Sequence, residues 1–231
     1  MSVLDVGCGT GAITKGIAEA VGPGGLVVGI DQDRGLLDRA QAHCDAYPNL
    51  RFEQADATRL DYDGRFDVVT AARTLQWVAE AGAALERMAR AARPGGQVLV
   101  LDYNHVLNSW EPEPPAQFAR FYALFLEWRA SNGWDNEMAS HCPRLFEQAG
   151  LEQIRSDAQD DVAVRTDDDF DEKTAIWIQV IDNLGPTLQR AQVCDADLLD
   201  GARASYDEWR RTCLLRQTLS MGATVAARGI R

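Results

Sequence analysis

Chemistry concentrates at the start of the chain, where Asp5-Val6-Gly7-Cys8-Gly9-Thr10-Gly11-Ala12 is followed by an acid at Asp31 and another at Asp56. The glycines permit a tight turn and bring bare backbone against a ligand. A helix opening just after them aims its free N–H groups at whatever sits in the turn. Asp31 lies about 20 residues past the loop, where an acid can accept hydrogen bonds from both hydroxyls of a ribose. Asp5, immediately before the glycines, attracts a cationic, amine-bearing ligand rather than a pyrophosphate. Asp56 is placed to receive an exocyclic adenine amine. These residues describe a nucleoside site. Gly7, Gly9 and Ala12 also satisfy the dinucleotide pattern G-x-G-x-x-G/A, so a nicotinamide ligand stays open on this ground.

The elements that must position these groups alternate. Residues 3–6 read as a buried strand and 13–20 as a helix. The turn Pro23-Gly24-Gly25 leads into a second strand at 26–30, and further strands fall at 50–55 and 66–70. Arg93-Pro94-Gly95-Gly96 opens a fifth strand at 97–103. Strands alternating with helices predict an α/β fold, doubly wound around a parallel sheet.

With these motifs in this order the chain resembles the class I S-adenosylmethionine-dependent methyltransferases, most closely the small-molecule type related to ubiquinone and menaquinone C-methyltransferases. The resemblance is carried by Leu4-Asp5-Val6-Gly7-Cys8-Gly9-Thr10-Gly11, Gly29-Ile30-Asp31, Ala55-Asp56-Ala57, Phe66-Asp67-Val68-Val69 and Arg93-Pro94-Gly95-Gly96. It implies a mostly parallel, seven-stranded Rossmann-like sheet with an inserted helical lid and the cofactor S-adenosylmethionine across the carboxyl ends of the first strands. It also implies the binding set. Asp5, Gly7, Cys8 (by backbone), Gly9 and Gly11 would hold the methionine part, Asp31 the ribose and Asp56 the adenine, with Gln32 and Ala57 as further cofactor contacts. The Arg73 backbone or Leu75 would pass the methionine end. Relatives usually carry a helix before the first strand, whereas here the strand begins at once. A missing segment would leave the cofactor face open and its affinity lower.

Composition narrows the partners. A chain of 231 residues, 46% hydrophobic, accommodates one α/β domain with an inserted subdomain. A net charge of −12 argues against nucleic acid, which demands clustered Lys and Arg. No apolar run approaches the roughly 20 residues of a membrane span, and the immediate strand leaves no room for a signal peptide. Cys8, Cys44, Cys142, Cys194 and Cys213 form no C-x-x-C pair, which predicts a reduced, cytoplasmic setting and no cysteine-rich metal site.

After residue 103 the alternation stops. Trp110-Glu111-Pro112-Glu113-Pro114-Pro115 reads as an extended linker. A helix over 116–131 repeats Phe118, Phe121, Tyr122, Phe125 and Trp128 at helical steps. A short helix is expected at 143–149, a sixth strand at 151–156 and a solvated acidic loop at 157–171. Helices follow at 170–184, stopped by Gly185-Pro186, and at 196–213, and the tail 216–228 reads as one closing strand. This predicts a single domain over 1–231, with a cofactor core at 1–103 and an aromatic lid at approximately 104–142 and 165–213.

Substrate choice belongs to that lid. Trp77, Tyr103, Phe118, Tyr122 and Trp177 are the candidate pocket residues for a small, partly apolar methyl acceptor, with ordinary core packing as their other use. His105 directly follows the fifth strand, so its imidazole serves either as a general base or as a pin held by backbone. His43 falls on an outer face, and His141 precedes a Cys142-Pro143 turn. The leading expectation is methyl transfer to O, N or C. The alternatives are a nicotinamide-dependent oxidoreductase, which lacks a Tyr-x-x-x-Lys constellation here, and a non-catalytic adenosyl-ligand-binding module.

Overall fold

The computed structural model describes residues 1–230, which divide into two compact units. The first comprises Met1–Tyr103, Glu137–Gln159 and the chain from Met221; the second comprises Asn104–Asn136 and Asp160–Ser220.

The first unit opens with β1 (Ser2–Val6), α1 (Ala12–Val21), β2 (Leu26–Asp31), α2 (Arg34–Cys44), β3 (Leu50–Gln54), β4 (Phe66–Ala72), α3 (Ala81–Ala91) and β5 (Ala92–Tyr103). The chain then enters the second unit for β6 (Ser109–Glu111) and α4 (Ala116–Ser131), and returns for α5 (Met138–Gln148) and β7 (Leu151–Ala158). A second excursion supplies β8 (Asp161–Val164), α6 (Phe170–Thr174), α7 (Ile176–Arg190), α8 (Ala196–Thr212) and β9 (Arg216–Leu219), before β10 (Met221–Arg228) rejoins the first unit.

The large sheet has seven strands in the order β3-β2-β1-β4-β5-β10-β7, parallel except around β10. Period-two alternation sorts its side chains. Val3 and Val27, register partners, join Ala18, Cys44 and Leu50 on one face, while Leu4 and Val28 join Leu85, Met88 and Phe146 on the other. Burial on both faces explains the continuous apolar runs of β1 and β2. Asp33 caps α2 by accepting the Leu36 N–H at 3.1 Å, which turns the chain sharply just past Asp31. The second unit has its own three-stranded antiparallel sheet, β6-β9-β8, and α4 and α7 both pack on α8. Among the described residues no helix is long and apolar enough to cross a membrane.

Several expectations are corrected by packing. The helix expected at 143–149 begins at Met138, so His141 lies within a helix rather than before a turn. Met138, Cys142 and Phe146 form a buried stripe that outweighs the hydrogen bond lost at Pro143. That helix packs on the large sheet, so 137–142 leave the expected lid, while 160–164 and 214–220 join the second unit. The helix expected at 170–184 breaks after Thr174, and α7 runs through Gly185-Pro186 to Arg190. Burying Leu188, fully enclosed, and seating Leu199 against Gly185 outweigh the breaker signal. The acidic loop is partly ordered, because Val162 and Ala163 pair with β9 while the acids stay outside. The closing strand splits at Ser220, whose N–H donates to Asn108 Oδ1 and whose carbonyl accepts from the Asn104 N–H, both at 2.8 Å.

Candidate functional site

The glycine loop is pinned from below. The N–H groups of Gly7 and Cys8 both donate to the Ile30 carbonyl, at 2.8 and 2.9 Å, which ties β1 to the end of β2. Gly7 has φ of 71°, and a Cβ there would lie 2.2 Å from Thr74 Cγ2, so only glycine fits. Gly9 has φ of 55° but faces open space. Its N–H donates to Asp31 Oδ2 at 2.9 Å, and the Asp33 N–H donates to Asp31 Oδ1 at the same distance. The Asp31 carboxylate is therefore fixed by two backbone donors, and each oxygen keeps a further lone pair.

Asp5 sits behind the loop, 2% exposed, and accepts the Thr14 hydroxyl at 2.7 Å. Burial pushes its carboxyl up to about 6; Thr14 opposes this rise and the Asp31 charge adds to it. Asp56 heads a one-turn helix and accepts both the N–H and the hydroxyl of Thr58 on Oδ1, each at 2.8 Å. Those two hydrogen bonds hold its carboxyl below the usual range.

These groups surround a cavity of about 630 Å³ at the carboxyl ends of β1, β2 and β4. Gly7, Gly9, Asp31, Gln32, Asp56, Ala57 and Arg73 all line it, and so does Trp77, which was expected at the acceptor pocket. Asp5, Cys8 and Gly11 support the loop without lining the cavity. The Cys8 thiol is raised, first by burial and then by Asp5 and Asp31, and stays protonated. Gly11, at φ of 79°, begins α1 against Phe52, Ala40 and Cys44. Leu75 is fully buried and packs in the core, away from the cavity wall. Arg73 adopts φ of 57°, and its N–H donates to the Leu101 carbonyl at 2.7 Å. A left-handed arginine in a cavity wall stores strain of order 1 kcal/mol, a feature that gathers at functional sites.

Sequence reasoning missed Leu36, Thr58, Thr74, Val78, Ala79 and Glu80 in this wall. Leu36 carried one usable signal, since it is the residue that the Asp33 cap holds just past Asp31. Thr74 carried none. Its role follows from contact with Gly7 across the sheet, where its hydroxyl lies 3.3 Å from the Gly7 carbonyl.

The remaining candidates are distributed between the units. Tyr103 ends β5 in the first unit, half-buried and paired with Met221. In the second unit, Phe118 is fully buried, Trp177 nearly so and Tyr122 half-buried. His105 is 7% exposed there; its N–H donates to the Asn136 carbonyl at 2.7 Å and its carbonyl accepts the Tyr122 hydroxyl at 2.6 Å. Burial, then the charge of Arg129, lowers its imidazole to about 3. His43 is exposed near the end of α2.

Residues 3–96 match the methyltransferase domain family. Over 171 residues the chain is 30% identical to the demethylmenaquinone methyltransferase of Staphylococcus aureus (strain JH9), covering 66% of this chain and 68% of that one. Among solved structures, phosphoethanolamine N-methyltransferase 2 of Haemonchus contortus, bound to phosphomonomethylethanolamine and S-adenosylhomocysteine, superposes with a TM-score of 0.61 at 16% identity. That match covers 99% of this chain and 49% of the other. The YcgJ protein of Bacillus subtilis superposes with a TM-score of 0.62 at 19% identity, covering 99% and 92%. With the seven-stranded sheet, the pinned glycine loop and the carboxylate at the end of β2 already in place, this chain belongs to the S-adenosylmethionine-dependent methyltransferases.

Proposed function

We propose that this enzyme holds S-adenosylmethionine in the 630 Å³ cavity and methylates a small, partly apolar acceptor. The observation that carries the reading is the Asp31 carboxylate, oriented by the Gly9 and Asp33 N–H groups at the lip of the cavity. The residues present fit the cofactor. Asp31 has lone pairs left for two ribose hydroxyls, and Gln32 lies beside it. Asp56 Oδ1 is committed to Thr58, which leaves Oδ2 for the adenine amine. Leu36 and Val78 offer apolar walls for the base, and the open space at Gly9 is room that any side chain would take. Arg73 supplies a cation for the methionine carboxylate, and Asp5 a negative charge behind the loop for the ammonium group.

The bound cofactor supplies a methyl group on a sulfonium, an electrophile for in-line displacement. The protein's part is alignment and water exclusion. An imidazole lowered to about 3 is a weak proton acceptor at neutral pH. Its backbone bonds to Asn136 and Tyr122 support His105 as a pin for the start of the second unit.

The acceptor class is tested with methyl-labelled S-adenosylmethionine and a cell extract, by mass spectrometry of the labelled products. Label in a low-mass, solvent-extractable species is the expected result. Label confined to protein or nucleic acid would contradict the small-acceptor reading.

A further inference from the structure

One wall of the cavity is a single segment after β4, which contributes Arg73, Thr74, Trp77, Val78, Ala79 and Glu80. The segment turns through a one-turn helix, Leu75–Trp77, whose cap position falls to Thr74. A threonine there ordinarily accepts an N–H two or three residues further on. Here its hydroxyl lies 3.3 Å from the Gly7 carbonyl and 3.1 Å from the Ala72 carbonyl, and it caps nothing. The Gln76 N–H, on a residue only 2% exposed, is left without a local acceptor. A buried donor in that position needs an acceptor from elsewhere in the fold.

Asp102, fully buried near the end of β5, is that acceptor. Its Oδ2 takes the Gln76 N–H at 3.1 Å and its Oδ1 the Tyr103 N–H at 3.0 Å. The residue before it works on the same segment, since the Leu101 carbonyl accepts the Arg73 N–H at 2.7 Å. Successive residues of β5 therefore hold the left-handed Arg73 by backbone and the turn after it by a side chain. Gln76 links the two holds, with Nε2 3.4 Å from the Arg73 carbonyl. Thr74, fixed between them, packs over Gly7 where a Cβ would not fit. Asp102 thus reaches both the wall and the glycine loop without itself lining the cavity.

We propose that Asp102 is a positioning residue for the cofactor: by capping the Gln76 turn it sets the wall from Arg73 to Glu80 against the glycine loop. The inference rests on the cofactor reading above and adds to it a residue that acts through the wall.

Asp102→Asn keeps the volume and sets an amide donor against one of the two N–H groups. In the whole, nitrogen-labelled protein it should weaken S-adenosylhomocysteine binding about fivefold to twentyfold. It should also displace the Trp77 indole resonance of the free protein, assigned with Trp77→Phe. Val98→Ala, a loss of core packing four residues earlier on β5, is the control for a merely structural effect. Its affinity and its Trp77 resonance should match wild type. A folded Asp102→Asn with wild-type affinity or an undisplaced Trp77 resonance overturns the proposal, and so does an equal loss of affinity in Val98→Ala. If Asp102→Asn does not fold, the wild type decides. Saturating S-adenosylhomocysteine should move the Gln76 amide resonance, although Gln76 does not line the cavity, and an unmoved resonance overturns the proposal. Equal binding by wild type and Asp102→Asn defeats the positioning role and leaves the cofactor reading intact. A wild type that binds no S-adenosylhomocysteine refutes the cofactor reading, and the positioning role with it.

Discussion

Asp31→Asn is expected to weaken S-adenosylhomocysteine binding by about tenfold to a hundredfold while the protein stays folded. The carboxylate accepts one backbone N–H on each oxygen, from Gly9 and from Asp33. An amide turns one of those contacts into donor facing donor, so the group rotates or the loop moves. It also removes the charge that strengthens hydrogen bonds from the ribose hydroxyls. Asp31 is half-buried at a strand end, so the sheet tolerates the change. Calorimetric titration beside a circular dichroism spectrum measures both parts. An unchanged dissociation constant would remove Asp31 from the site.

Asp5→Asn has an effect of similar size with an opposite sign on stability. The folded protein holds the Asp5 proton up to about pH 6, well above the ordinary carboxyl value of 3.8. Between these values the folded state binds more protons than the unfolded chain. The Asp5 contribution to stability is therefore largest at low pH, falls as pH rises through this window and levels off above it. Asparagine keeps the acceptor for Thr14 and abolishes the titration. The variant should match wild type near pH 4 and exceed it at pH 7.5 by an amount on the order of a few kcal/mol. Its affinity for S-adenosylmethionine should fall about tenfold at pH 7.5, because the charge behind the loop is gone. Denaturant unfolding at the two pH values checks the first part and calorimetry the second. Equal stability differences at both pH values would show that the Asp5 charge carries no such burden.

The residues legible in the sequence were those whose chemistry leaves few choices. A pinned loop needs glycine at Gly7, and two backbone N–H groups converging at the end of β2 need an acceptor with two oxygens at Asp31, so type and spacing sufficed. Thr74 and Val78 were not legible, because their place in the wall depends on how the segment after β4 comes over the sheet. The same limit explains the fold-level errors. Pro143 is a strong local start signal and Gly185-Pro186 a strong stop signal, but Met138 lies buried before the first and Leu188 beyond the second, and burial of those side chains decided the helix ends. Ser220 gave no breaker signal, and its strand break depends on Asn104 and Asn108, more than a hundred residues away in the chain.

Competitive calorimetry on the wild-type protein tests most directly whether the cavity lined by Asp31 takes the adenosyl part of S-adenosylmethionine. S-adenosylhomocysteine should bind at one site per chain and be displaced by S-adenosylmethionine, while oxidised nicotinamide dinucleotide produces no heat and no displacement. Dinucleotide binding that S-adenosylhomocysteine cannot displace, or no S-adenosylhomocysteine binding by a folded protein, would contradict the account.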